Sequence, residues 1–223
     1  MDGQSVITPR ERYRAQVSAE IKQRAWGQIA SAGVSALSLN AIAKQMGLSG
    51  PALYRYYAGR DELITELIGD AYRSLADALR DARGDVGDAD GGGPAVLARA
   101  LRSWALEDPQ RYLLLYGTPI PGYHAPDGIT GIAAEIMSLL LDAFAALPAA
   151  APTPAVERLT EDLAAHRAWA GDHPAPADTL RRALTCWTRL HGVISLQVAG
   201  HFTGMGFDPG KLFDAEVEQL LEG

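Results

Sequence analysis

The sequence contains no run of 18 or more apolar residues, only one cysteine and only three lysines. A bilayer-spanning helix needs about 20 consecutive apolar residues, so no membrane association is expected. No charged-then-apolar leader precedes the first helical pattern, and a secretory signal is not expected either. A lone Cys186 cannot form an internal disulfide, which fits the reducing cytoplasm. Lys22, Lys44 and Lys211 are outnumbered by arginines in a chain rich in Ala, Gly and Pro, a bias that points to coding composition more than to function. His124, His166, His173, His191 and His201 are scattered without a ligand spacing such as HExxH, and no metal is expected. Paired-carboxylate motifs, a nucleophile elbow and a phosphate-cradling glycine loop are all missing, so neither an enzyme nor a cofactor is expected. Strand-like alternation and internal repeats are missing too.

What remains is helix. Apolar residues recur at helical spacing over 18–32, 39–46, 50–57, 60–83, 95–107, 109–116, 128–147, 155–170, 178–200 and 209–222. Glycine- and proline-rich breaks at 84–94, 117–128, 147–155 and 172–178 separate them. The pattern predicts an all-α protein: a small N-terminal three-helix head (1–60), then a C-terminal helical bundle (61–223), joined through the long helix 60–83.

The densest signal is IAKQMGLSGPALYRYYAGRDELI at 42–64. Leu39, Ile42, Ala43 and Met46 give a short helix one apolar face, and Ser38 stands where an N-cap hydroxyl accepts a bond from an unpaired helix N–H. Gly47 ends that helix, because glycine takes the left-handed conformation without a Cβ penalty. Ser49 caps the next, and Pro51 is tolerated in its first turn. Two helices joined by a tight glycine turn form the motif whose second helix enters the DNA major groove. The residues expected to face DNA are Ser38, Asn40, Lys44, Ser49, Gly50, Pro51, Ala52, Tyr54, Arg55, Tyr56 and Arg60. Tyrosine hydroxyls and an arginine fork reach phosphates or a guanine edge.

LYRYYAGRDEL at 53–63, preceded by IAKQMGLSGPA and by a helix carrying Ile21, Ala25 and Ile29, resembles the tetracycline-repressor (TetR) family of bacterial one-component regulators. The match runs through residues 18–66 in order and spacing. Tyr57 stands where the family usually has Phe and Arg60 where it usually has Lys; each change keeps the bulk or the charge. Trp187, His191 and Gly192 in CWTRLHGV resemble the W…HG signature of one C-terminal subclass.

Net charge is −7, which taken alone speaks against nucleic acid. Its distribution reverses that reading. Residues 1–60 hold eight Lys/Arg and three Asp/Glu, a local charge of +5, leaving −12 on the rest. A basic head on an acidic body concentrates attraction to phosphates at one end.

In the bundle, Asp108-Pro109 is a helix start with a cap and a proline at N1. Helix 128–147 is apolar nearly all round, from Ile129 to Phe144, and is expected at the bundle centre. Helix 178–200 carries two apolar stripes, so one side is expected to meet its own core and the other a second copy of the chain. With the amphipathic 209–222 it would build a four-helix seam, the arrangement that the resemblance implies. Ala183, Cys186, Leu190, Val193, Phe213, Val217 and Leu220 are the expected dimer interface. A monomeric core helix is the alternative.

Trp104, Tyr112, Tyr116, Met137, Phe144, His166 and Trp187 come from different helices and are expected to enclose a small hydrophobic effector, with 117–126 as a flap. Plain core packing of the same residues is the rival. The reading is a homodimeric regulator, a repressor by the family's habit, released from a pseudo-palindromic double-stranded DNA operator by that effector. A helical ligand-binding or interaction protein with an unused head remains the alternative, and an enzyme built on the bundle a weaker one.

Overall fold

The computed structural model describes residues 8–85, 93–124, 126–147 and 153–222. Among them every regular element is helical, and no helix is long and apolar enough to cross a membrane. They divide into two compact units, residues 8–68 with 118–124 and residues 69–117 with 126–222.

The first unit opens with α1 (Pro9–Ala32), which starts well before the expected residue 18. Thr8 Oγ1 accepts from the Glu11 N–H at 3.2 Å, and Glu11 Oε2 accepts from the Thr8 N–H at 2.8 Å. This reciprocal cap satisfies two otherwise orphaned donors. The same bonds from Thr8 hold the Glu11 carboxyl below its ordinary pKa. The first two turns are exposed and almost wholly polar, so apolar periodicity could not reveal them.

α2 (Leu39–Gln45) and α3 (Gly50–Leu53) follow, then α4 (Arg60–Asp85). Ile21, Ala25 and Ile29 of α1 are buried, as are Leu39, Ile42 and Ala43 of α2, Leu53 of α3, and Leu63, Ile64 and Leu67 of α4. The buried start of α4 is why the unit boundary falls after Ile68 and not at 60. Of the segment 117–126, expected as a flap, residues 118–124 group with this unit and residue 125 lies outside the described residues; the Tyr123 hydroxyl lies 3.0 Å from Thr65 Oγ1.

The second unit contains the rest of α4, then α5 (Gly93–Glu107), α6 (Pro109–Tyr116), α7 (Asp127–Ala145), α8 (Pro154–Ala165), α9 (Ala177–Val198) and α10 (Pro209–Glu222). The centre of this bundle is α9, which lies against α5, α7, α8 and α10. Contrary to expectation, α7 does not hold that place but sits to one side. It buries Ile136, Leu140, Leu141 and Phe144 yet exposes Gly131, Ala134, Glu135 and Asp142; the side chain of Ile129 lies outside the described residues. Two arginines at the start of α9 are buried: Arg181 donates to Asp178 Oδ1 at 2.7 Å, and Arg182 donates to Leu147 O at 3.3 Å with its guanidinium 5.3 Å from the Phe144 ring centre. α8 stops at Ala165, five residues short of its predicted end, with His166 as its cap.

Candidate DNA-reading head and ligand cleft

The turn between α2 and α3 forms as its sequence dictates. Gly47 has φ +66°, the Leu48 N–H donates to Ala43 O at 2.9 Å, and the Gly47 N–H donates to Lys44 O at 3.3 Å. These paired bonds close the end of α2 on a left-handed residue. Ser38 caps the helix from the other side, accepting from the Ala41 N–H at 3.3 Å, while its own N–H donates to Gln28 Oε1 at 2.8 Å and so fastens α2 to α1.

α3 is one turn long, shorter than the 50–57 helix expected. The Tyr56 N–H bonds back to Leu53 O at 2.8 Å and the Tyr57 N–H to the same oxygen at 3.3 Å. That tightening turns Tyr57 inward, where it is buried with its hydroxyl 2.7 Å from Ser18 Oγ. Tyr54 and Arg55 are left outside, and Tyr54 is 47% exposed. Asn40, Lys44, Ser49 and Pro51 are exposed as well, and Gly50 and Ala52 are partly so. Ser49 occupies the cap position without a side-chain cap bond, so its hydroxyl is not tied to the helix. Among the described residues neither Lys44 nor Arg55 has an ion-pair partner. Tyr56 is half-buried under the Arg14 guanidinium, 5.9 Å from its ring centre. Arg60, also expected at DNA, instead braces the head internally, where its Nη2 donates to Val34 O at 2.9 Å.

In the second unit an open cleft of about 630 Å³ is lined by Tyr72, Tyr116, Met137, Trp169, Leu184 and Trp187 among others. Its volume lies in the range of small-molecule sites, about 300–1,000 Å³. Three of the seven expected effector residues are there: Tyr116, Met137 and Trp187. Trp104, Tyr112 and Phe144 are not; each is buried in the core. Trp104 Nε1 donates to Ser74 Oγ at 3.1 Å, and Phe144 packs beneath Arg182. His166 is exposed at the C-cap of α8 beside Asp162 and takes no part. Periodicity missed Tyr72, on the long α4, and Trp169, on the short turn after α8. A second void, among Leu79, Leu101, Leu140 and Leu190, measures about 10 Å³, room for at most one water.

Burial shifts the phenols of the cleft upward: both Tyr72 and Tyr116 are raised, so they are neutral at physiological pH. Tyr116 packs edge-on against Tyr72 at 6.3 Å and against Trp187 at 5.8 Å between ring centres. Behind it lies His191, 4.3 Å from Tyr116 and 4.1 Å from Trp187. Its Nδ1 is 2.9 Å from the Tyr112 hydroxyl, which also lies 2.7 Å from Ser195 Oγ.

Residues 21–67 match the family model described as bacterial regulatory proteins, tetR family, and residues 95–220, more than half of the chain, match the tetracyclin repressor-like C-terminal domain. The chain belongs to the TetR family. It is therefore a DNA-binding transcription regulator with a helix-turn-helix head. It is 38% identical to the HTH-type transcriptional regulator Rv1816 of Mycobacterium tuberculosis over 227 residues, covering 96% of this chain and 95% of that one. The HTH-type transcriptional regulator Mb1846 of Mycobacterium bovis matches equally. The crystal structure of regulatory protein SCO4313 is 61% identical, with a TM-score of 0.86 over 97% of this chain and all of that one. A protein of unknown function from Rhodococcus sp. RHA1, 24% identical with a TM-score of 0.68 over 93% of this chain and 94% of that one, shares the fold.

Within this TetR chain the residues expected at a dimer seam are placed otherwise. Ala183, Cys186, Leu190, Phe213, Val217 and Leu220 are each at most 9% exposed and pack into the chain's own core; Val193 is half-buried. The two stripes of α9 are both used at home, because α5, α7, α8 and α10 surround it. Its outward side carries Thr188, Gly192, Leu196 and Ala199 instead. A Cβ added at Gly192 would meet nothing within 4 Å, so no close approach among the described residues requires that glycine.

Proposed function

We propose that this TetR regulator is a homodimeric repressor that holds a pseudo-palindromic operator until a small hydrophobic effector enters the cleft of the second unit. The observation that carries the reading is the aromatic cleft itself: Tyr72, Tyr116, Trp169 and Trp187 converge from four elements of a chain that also carries a recognition turn with unpaired polar side chains. Ser49, Tyr54 and Arg55 contact phosphates and base edges, with Asn40 and Lys44 beside them on the backbone. Effector binding then favours the arrangement of the two heads that no longer fits successive major grooves. Dimerisation uses the outward side of α9, at Thr188, Gly192, Leu196 and Ala199. Leu196 is 45% exposed there, and Met205 and Phe207 in the turn that follows are 63% and 41% exposed. Apolar side chains left outside in this way support a self-interface.

Gel-shift titration with the chain's own upstream DNA tests the first half. With about 6–10 phosphates contacted per dimer, affinity falls about 10³–10⁵-fold between 50 and 200 mM salt. Binding that ignores salt, or that survives deletion of residues 1–60, sinks the reading. Tyr116→Ala should change the effector response while nearly preserving operator affinity; loss of both would make Tyr116 a packing residue only.

A further inference from the structure

We infer that the cleft takes an uncharged aromatic compound bearing a hydroxyl group, which slots against Tyr116 and Trp187 and hydrogen-bonds His191 Nε2. The inference rests on the reading of the cleft as the effector site and adds the chemical class of the ligand.

Three observations carry it. First, among the described residues no lining residue of the cleft is charged. A carboxylate or phosphate entering it would shed water with no cation to replace that solvation. Second, the walls are ring faces and a thioether, Tyr72, Tyr116, Trp169, Trp187 and Met137, which suit a flat apolar body. Third, one buried polar atom next to this wall has no partner. His191 Nδ1 is occupied by the Tyr112 hydroxyl, itself anchored on Ser195, but His191 Nε2 is buried without a hydrogen bond. Tyr112 is fully buried, so the imidazole is held from behind.

The spacing explains the geometry. Trp187 and His191 are four residues apart on α9 and therefore share a face, with ring centres 4.1 Å apart. Tyr116 of α6 closes over the same imidazole at 4.3 Å. Tyr116 and Trp187 both line the cleft and are half-buried, and in the proposed complex one of them changes rotamer to let the ligand reach Nε2. The imidazole is neutral, since burial pushes its pKa down to about 4, and offers an anion no counter-charge. A neutral imidazole presents either an N–H or a lone pair at Nε2 according to tautomer. A hydroxyl can donate or accept, and so satisfies both. The W…HG pattern then has a chemical purpose: the tryptophan supplies the wall and the histidine the polar tip.

Calorimetric titration of the full-length protein with three probes of one shape tests this: naphthalene, 2-naphthol and 2-naphthoate at pH 7.5. The expected order is 2-naphthol tighter than naphthalene by about tenfold, the scale of one hydrogen bond made to a buried, unpaired group, and 2-naphthoate weakest. His191→Phe should erase the preference for naphthol over naphthalene and leave naphthalene within about twofold. His191→Gln, which keeps a polar tip, should retain part of it, and provides the comparison should the Phe variant misfold. Equal binding of naphthol and naphthalene to the wild type, tight binding of naphthoate, or a preference that survives His191→Phe would overturn the inference. Ala134→Trp, which fills the exposed side of the cleft, separates it from the underlying reading. Probes that bind this variant as well as the wild type show that the cleft is not the site at all, whereas binding that is blocked there but blind to the hydroxyl defeats only the ligand class. Failure of all three probes to bind at millimolar concentration overturns both.

Discussion

His191 should make the second unit sensitive to mild acid, by an amount that follows from its burial. Burial alone moves its pKa from 6.5 to about 4, so the folded protein holds the ring neutral where an unfolded chain would protonate it. Between these two values the unfolded state binds more protons, and stability falls as pH drops. Stability is therefore complete above about pH 6.5, declines through the window down to about 4, and levels off below it. Across that interval, at about 1.4 kcal/mol per pH unit, the loss is on the order of 3 kcal/mol. With a urea dependence of about 3 kcal/mol per molar, the unfolding midpoint should shift by about 1 M. Near-ultraviolet circular dichroism of the bundle tryptophans, followed in urea at pH 7, 6, 5 and 4.5, measures it. Asp142 also contributes in acid, because its bonds to His173 and Arg83 outweigh the opposing effect of burial and lower its pKa, but that loss sets in only as the pH falls to the carboxylate range. The decisive quantity is the difference between wild type and His191→Phe, which should lose the slope between pH 6.5 and 4.5. Parallel curves for the two proteins would refute the argument.

Three further outcomes are expected. Gly47→Ala should destabilise the first unit by about 1–2 kcal/mol through backbone strain alone, since the site has φ +66° and an added Cβ meets nothing within 4 Å; thermal melting and operator affinity should fall together. Arg60→Ala should lower the melting temperature by removing the bond to Val34 O, whereas exposed Arg55→Ala should leave melting unchanged and weaken operator binding. Leu190→Glu places a charge at a site 2% exposed and should unfold the bundle, while Leu196→Glu, at a site 45% exposed, should yield folded monomers by light scattering.

The parts of the chain that are legible in sequence are those whose physics is local. The Ser38 cap, the left-handed Gly47 and the Asp108-Pro109 start each rest on bonds within a few residues, and each forms as read. The upstream turns of α1 are hidden from periodicity because their stabilisation comes from a polar cap and not from an apolar face. Exposure of Tyr54 and Arg55 is likewise readable, for the apolar residues around them have only one way to face a core. The internal role of Arg60 is not, since its partner Val34 O lies 26 residues away on the far side of the turn motif.

In the bundle the balance tips the other way. Helical periodicity tells which residues prefer to leave water, but not whether a neighbouring helix or a second protomer covers them. Cys186 and Leu190 fit either answer in sequence, and four surrounding helices choose between them. Aromatic residues pose the same ambiguity: Trp104 and Phe144 fill the core, while Tyr116 and Trp187 line a cleft, and nothing in their local spacing separates the pairs. Capping, turn geometry and apolar period act over a few residues, so the all-helical class, the reading turn and the family follow from the order of residues alone, whereas the ends of α1, α3 and α8 do not. Which apolar faces are interior, which rings border open space and which polar atom of His191 is left without a partner depend on contacts between segments far apart in the chain, and these emerge only once the helices have packed.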